Sequence, residues 1–180
     1  MFALVGCSSD GSTADPSAQD TTNATVTDEA EPGVTASDET GTETPVEAQA
    51  ATVPGPCPYL EQELVEGIVG QKISAVLVTT TTPQTGPLPK CEFQRSSGEP
   101  AATTDTLTIK AGEGLAKSLE LVPGGNPVSA GEGGSVIVHQ GQDRTDLVAF
   151  SGTTLVSVTI NQESSLEATD LAETVLAAAG

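Results

Sequence analysis

Between Ser8 and Pro56 the chain carries ten acids, no Lys or Arg, and no Leu, Ile, Met, Phe, Tyr or Trp. Val26, Val34, Val46 and Val53 are its only large aliphatics, set among ten Thr, eight Ala, five Ser and five Pro. Ordering a backbone costs about 1–2 kcal/mol per residue, and this stretch has too little apolar surface to offset that cost. Residues 8–56 are therefore expected to form a disordered acidic tether. Folding is left to residues 57–180, a span of ordinary single-domain size. The formal net charge of −19 divides the same way: ten of the 25 acids fall in the tether, and all six Lys and Arg fall in the domain.

That imbalance argues against nucleic acid as a partner, because phosphate binding needs clustered Lys and Arg to displace counterions. The sequence also has no apolar run of about 18 residues to cross a bilayer as a helix.

The first seven residues carry the most specific motif. Leu4-Val5-Gly6-Cys7 has the pattern of a bacterial lipobox, with an apolar residue three before the cysteine and a small one just before it. The chemistry requires this: a diacylglyceryl group is placed on the thiol, and a peptidase cuts before it in a small, extended segment at membrane level. Cys7 is the expected lipid anchor and new N-terminus. An export signal has a basic region and an apolar stretch of about 7–15 residues, so residues 1–7 read as a truncated lipoprotein signal. A flexible tether of this length has an r.m.s. reach of about 35–45 Å. It would hold the domain off the membrane.

Three cysteines leave one odd thiol in an exported protein, and lipidation of Cys7 removes the oddity. Cys57 and Cys91 then form a disulfide, closing a loop worth roughly 3–4 kcal/mol in the chain-entropy model. Two reduced cytosolic thiols, or a metal pair, are the rival readings. Metal is disfavoured by the long spacing and by His139 being the lone histidine.

Within residues 57–180, Leu60, Leu64 and Ile68 recur at helical spacing and Gly70 is a natural stop, which predicts a helix over Pro58–Val69. Strands are predicted over Ile73–Thr81, Cys91–Arg95 and Thr106–Lys110. A second helix is predicted over Gly114–Val122, with Leu115, Leu119 and Val122 on its apolar stripe. Strands at Ser135–His139, Asp146–Phe150 and Thr154–Asn161 follow. Ser164-Ser165-Leu166-Glu167 has capping-box spacing and opens a helix whose stripe is Ala168, Leu171, Ala172, Val175, Leu176 and Ala179. The order α-βββ-α-βββ-α, with strand runs joined by short turns, predicts an α+β domain with a mainly antiparallel sheet packed against helices.

Chemistry is sparse. A Ser-His-acid triad would have to use His139, with Ser135 or Ser151 as nucleophile and Asp143 or Asp146 as acid, yet neither serine has nucleophile-elbow flanks. The glycine-rich Gly124–Gly134 lacks the Lys-Ser/Thr of a phosphate loop and precedes a strand. No alternating calcium-loop pattern occurs. No catalytic residue, cofactor or metal site is expected.

Cys57-Pro58-Tyr59-Leu60, Val65, Gly70-Gln71-Lys72-Ile73, Cys91-Glu92-Phe93 and the passage from Leu155 to Glu173 containing Asn161-Gln162-Glu163 carry a likeness. They resemble a family of mycobacterial and corynebacterial secreted lipoproteins sharing a domain of no known function. The likeness spans roughly residues 57–176 and is weakest over 112–134. It implies an actinobacterial envelope and lipidation at Cys7, with no activity and no catalytic residues. By analogy it also implies a small α/β/α sandwich.

Together these observations predict a monomeric, lipid-anchored, non-catalytic binding or accessory module on the outer face of the cytoplasmic membrane. Its partner would be an envelope protein or wall component, met through the loops Pro83–Lys90 and Gly112–Gly134. The alternative is a carrier or sensor of a small apolar ligand such as an acyl chain.

Overall fold

The computed structural model of the chain describes residues 49–180. Cys7 and the tether up to residue 48 lie outside the described residues. The described elements are β1 (Gln49–Pro54), α1 (Gln62–Val69), β2 (Ala75–Thr82), β3 (Lys90–Gln94), β4 (Pro100–Thr108), α2 (Gly114–Leu121), β5 (Asn126–Val128), β6 (Gly133–His139), β7 (Arg144–Ser151), β8 (Thr154–Ile160) and α3 (Ser165–Ala179). All eight strands form one antiparallel sheet in the order β1-β2-β3-β4-β8-β7-β6-β5. Two meanders thus run inward from opposite edges and meet where β4 pairs with β8. The fold is α+β, as the strand and helix runs predict.

Two strands exceed the predicted six. β1 lies in the stretch assigned to the tether, so the sheet begins before residue 57. Its six residues are all exposed; main-chain pairing with β2, continued by Gly55 N–H to Val76 O at 3.0 Å, holds it. Such a strand has no burial pattern to betray it. β5 occupies part of the glycine-rich stretch and pairs with β6.

Side chains alternate across a strand, so the register sorts them by face. Phe93, Ala102, Leu147, Ala149, Val156, Val158 and Ile160 point to one face, where Val65 and Val69 of α1 and Leu171, Ala172 and Val175 of α3 close over them. Phe93, Leu147, Ile160 and Leu171 are wholly buried, each contributing about 1.5–3 kcal/mol by removal of apolar surface from water. On the opposite face Val122, at the end of α2, packs with Ile109, Val148 and Leu155, flanked by Ile137 and Phe150. α2 contacts β6, β7 and β8. Among the described residues no helix covers the β1–β4 half of that face.

Helices α1 and α2 depart from their predicted boundaries or stripe for physical reasons. Helix α1 starts at Gln62, because residues 57–60 are held elsewhere. Cys57 is disulfide-bonded to Cys91 with a Cα–Cα distance of 5.9 Å. The Tyr59 hydroxyl donates to Pro89 O at 2.9 Å and lies 2.7 Å from Thr104 Oγ1. Leu60 is buried from this anchored segment, Val65 and Val69 form the buried helical stripe, and Leu64 is exposed. Gly70 ends the helix in the left-handed region, at φ 62°.

Helix α2 is rotated relative to its predicted stripe. It faces the sheet with Gly114 and Ser118, while Leu115, Leu119 and Leu121 are 55%, 48% and 51% exposed. A Cβ on Gly114 would collide with the Phe150 ring, so the missing side chain is what lets the helix settle there. Helix α3 buries the predicted Ala168, Leu171, Ala172, Val175 and Leu176. Ser164 holds its N-cap position but makes no capping bond. Its backbone N–H donates to Thr145 Oγ1 at 3.1 Å, and the expected capping box does not form.

Candidate functional site

The β6–β7 hairpin positions the only histidine. His139 and Arg144 are register partners next to its turn, and Asp146 lies one step along the same face, opposite Thr159 of β8. His139 Nε2 is 2.8 Å from Asp146 Oδ2. Arg144 Nε donates to the same oxygen at 2.9 Å, Arg144 Nη2 donates to Asp146 Oδ1 at 2.9 Å, and Thr159 Oγ1 donates to Oδ1 at 2.7 Å. Burial alone would raise the Asp146 carboxyl, but these hydrogen bonds and the Arg144 charge hold it below its ordinary value.

Of the residues considered for a triad, the structure brings together His139 and Asp146 alone. Asp143 sits in the hairpin turn at φ 47°. Ser135 is fully buried, its hydroxyl donating to Val122 O at 3.2 Å. It lies four residues from His139 along β6, about 13 Å at strand rise. Ser151 is at the other end of β7, paired with Thr154. The Asp146 carboxylate accepts from three side chains, and among the described residues the imidazole makes no hydrogen bond to a serine.

The sheet face that α2 leaves open carries three hollows. One hollow, of about 340 Å³, is lined by Leu121, Ile137, His139, Asp146, Ser157 and Thr159 among others. A second, of about 310 Å³, lies between Thr85, Asp105, Leu107, Leu121, Leu155 and Ser157. A third, of about 80 Å³, runs under the loop after β2 between Thr81, Thr85, Lys90 and Asp105. Neighbouring hollows share residues: Leu121 and Ser157 join the first to the second, and Thr85 and Asp105 join the second to the third. Through these shared residues the three hollows lie in a row across the strands, a groove marked out from the Pro83–Lys90 loop to His139.

Both segments expected to offer contact surfaces border this groove. Thr85 and Lys90 come from the first, and Leu121 from the second. Asp105, Leu107, Ser157 and Thr159 were not singled out by sequence. The predicted strand began at Thr106, which left Asp105 outside it. Extending the alternation back to Pro100 would have placed Asp105 and Leu107 on one face and the buried Thr104 and Thr106 on the other.

The groove carboxylates differ sharply. Asp105 Oδ1 accepts only the backbone N–H of Thr106, at 2.8 Å, and Asp105 forms no ion pair among the described residues. Burial of its surroundings raises its pKa, offset in part by the Thr106 hydrogen bond and the Lys90 charge. Tyr59 lies on the other side of β4. Burial, above all, pushes its hydroxyl up to about 12, with the Asp105 charge adding to the rise and the Thr104 hydrogen bond opposing it.

No protein-family model matches the chain, and no curated protein matches it. Among the described residues no cluster of three or more His, Cys, Asp or Glu is placed to hold a metal ion, and no helix is long and apolar enough to cross a membrane.

Proposed function

We propose that this chain is a lipid-anchored, extracytoplasmic, non-catalytic binding module of an actinobacterial cell envelope, and that it holds an envelope protein or wall component in the groove of its open sheet face. The observation that carries the reading is the groove itself: a row of adjoining hollows that joins apolar walls to free polar groups on the sheet, as binding sites do. The Cys57–Cys91 disulfide supports an oxidising compartment, and Leu4-Val5-Gly6-Cys7 supports lipidation. The likeness to mycobacterial and corynebacterial lipoproteins points the same way.

The acyl-chain alternative draws on Leu107, Leu121 and Leu155, which give the middle hollow an apolar wall. The space between the sheet and α3 is filled by Phe93, Leu171, Val175 and their neighbours, so it leaves no room for such a chain there.

Two measurements in cells test the proposal. The mature protein should begin at Cys7 and carry the mass of a diacylglyceryl thioether. Replacing Ser157 with Trp, which fills the groove where two hollows meet, should reproduce the phenotype of deletion while leaving the fold intact. An unmodified Cys7 removes the anchor, and a fully active S157W protein removes the groove.

A further inference from the structure

The middle hollow has the form of a socket for one long cationic side chain. Its wall is Leu107, Leu121 and Leu155, and its polar residues are Asp105, Ser157, Thr85 and Thr106, the last with its hydroxyl already engaged by the Leu88 backbone. Asp105 and Leu107 alternate on β4, opposite Ser157 and Leu155 of β8 respectively. The carboxylate and hydroxyl therefore sit side by side at one end, with two leucines side by side at the other. Leu121 leans in from α2, half exposed. The hydroxyls of Ser157 and Thr85 are engaged with no other protein group among the described residues. An ammonium ion has three donors and no acceptor, and its methylene stem favours apolar contact while its head keeps polar partners. Asp105, Ser157 and Thr85 supply three acceptors, and the leucines supply the apolar wall.

Resting on the reading of the groove as a binding surface, the geometry points to a lysine side chain, presented by an extended peptide segment of a partner protein, as the occupant of this socket. Charge complementarity selects the cation. Residues 57–180 hold 15 acids against six bases, and Asp105 is the groove carboxylate without an ionic partner, whereas Asp146 already accepts from three side chains. The peptide follows from the groove continuing on both sides of the socket. From β4 to β6 it crosses three strand spacings, about 14 Å, the length of some four extended residues. Lys90, which lines the third hollow beside Asp105, is the cation the ligand must displace in charge terms. The other charged groups bordering the groove are Arg144 and Asp146, which are paired with each other, with the His139 imidazole also bonded to Asp146.

The test uses the full chain, isotopically labelled, and titrates it with the blocked peptide acetyl-Gly-Ala-Lys-Ala-Gly-amide and its norleucine counterpart. Amide shifts should concentrate at Asp105, Leu107, Leu121 and Ser157, and the norleucine peptide should bind at least tenfold more weakly. Asp105→Asn keeps the acceptor for Thr106 N–H. It should weaken the lysine peptide at least tenfold and leave the norleucine peptide unchanged. Lys90→Met should tighten the lysine peptide several-fold. Ser157→Trp should abolish binding of both.

Equal binding of the two peptides, or an unchanged affinity in D105N, overturns the lysine socket. Binding of n-butylamine as tight as the peptide overturns the peptide as occupant, and shifts confined to residues 8–48 overturn the site. If D105N is silent while S157W still abolishes binding, the groove survives and only the lysine assignment falls. If S157W is silent too, both fall.

Discussion

Asp105 and Ser157 face each other across the junction of the two half-sheets, as register partners on β4 and β8. The pair marks the place where the two meanders meet and where the hollows of the open face adjoin. Asp105 borders the hollows on one side of this point and Ser157 those on the other. The groove is thus built by the central strands of the sheet, the part of an antiparallel fold least able to shift, with loop and helix residues at its rim.

The chain has a single tyrosine, so tyrosinate absorbance reads Tyr59 alone. In the folded protein it should titrate near 12, against about 10 in denaturant. Because the folded value is the higher one, the stabilising contribution is complete below pH 10 and lost as the pH rises from 10 towards 12. Y59F should flatten this alkaline loss of stability. A folded-state titration near 10 would show that the hydroxyl is not buried against β4 as described.

Asp146 gives the opposite sign. Its folded pKa is lowered, so its contribution is present above the ordinary carboxylate range and lost as the pH falls through that range and below. Denaturant midpoints measured from neutral to acid pH should drop for the wild type, with D146N showing a smaller acid-dependent drop. At neutral pH D146N should cost about 1–3 kcal/mol, since Arg144, His139 and Thr159 lose a charged acceptor.

Removing the Cys57–Cys91 crosslink by C57S/C91S should lower stability by about 3–4 kcal/mol. The loss should be accompanied by faster hydrogen exchange in residues 57–60. That segment also relies on Tyr59 for its attachment to β4, so Y59F and the double serine variant should be non-additive.

Gly114 is predicted to be the most sensitive position in α2. G114A puts a methyl group where the Phe150 ring lies and should cost about 1–3 kcal/mol by overpacking. L115K and L119K, on the exposed flank, should each change stability by no more than about 0.5 kcal/mol. Thermal melts of the three variants decide whether α2 docks through its small residues or its leucines.

What could be anticipated from sequence follows how strongly each element depends on side-chain burial. Helix α3 and strand β8 bury large residues at regular spacing, so Leu171, Val175, Val156 and Val158 announce them. β1 is held by main-chain pairing with every residue exposed, and a composition poor in leucine hid it within the presumed tether. The orientation of α2 depends on Gly114 accommodating a ring 36 residues later in the chain, which no helical periodicity encodes. His139 and Asp146 were within the set considered for chemistry, and their pairing follows from a tight hairpin. Asp105 gained its place from the register of β4 against β8, a long-range pairing that local pattern does not fix.

The central claim is that the partner meets the open face of the sheet. It is tested most directly by photo-crosslinking in intact cells, with a photoreactive residue placed at Leu121 in the groove or at Leu166, which is 68% exposed on α3 over the opposite face. A discrete crosslinked species at position 121, absent at position 166 and lost when S157W is added, is the predicted result. Crosslinking from 166 but not 121, or a species at 121 that survives S157W, would contradict it.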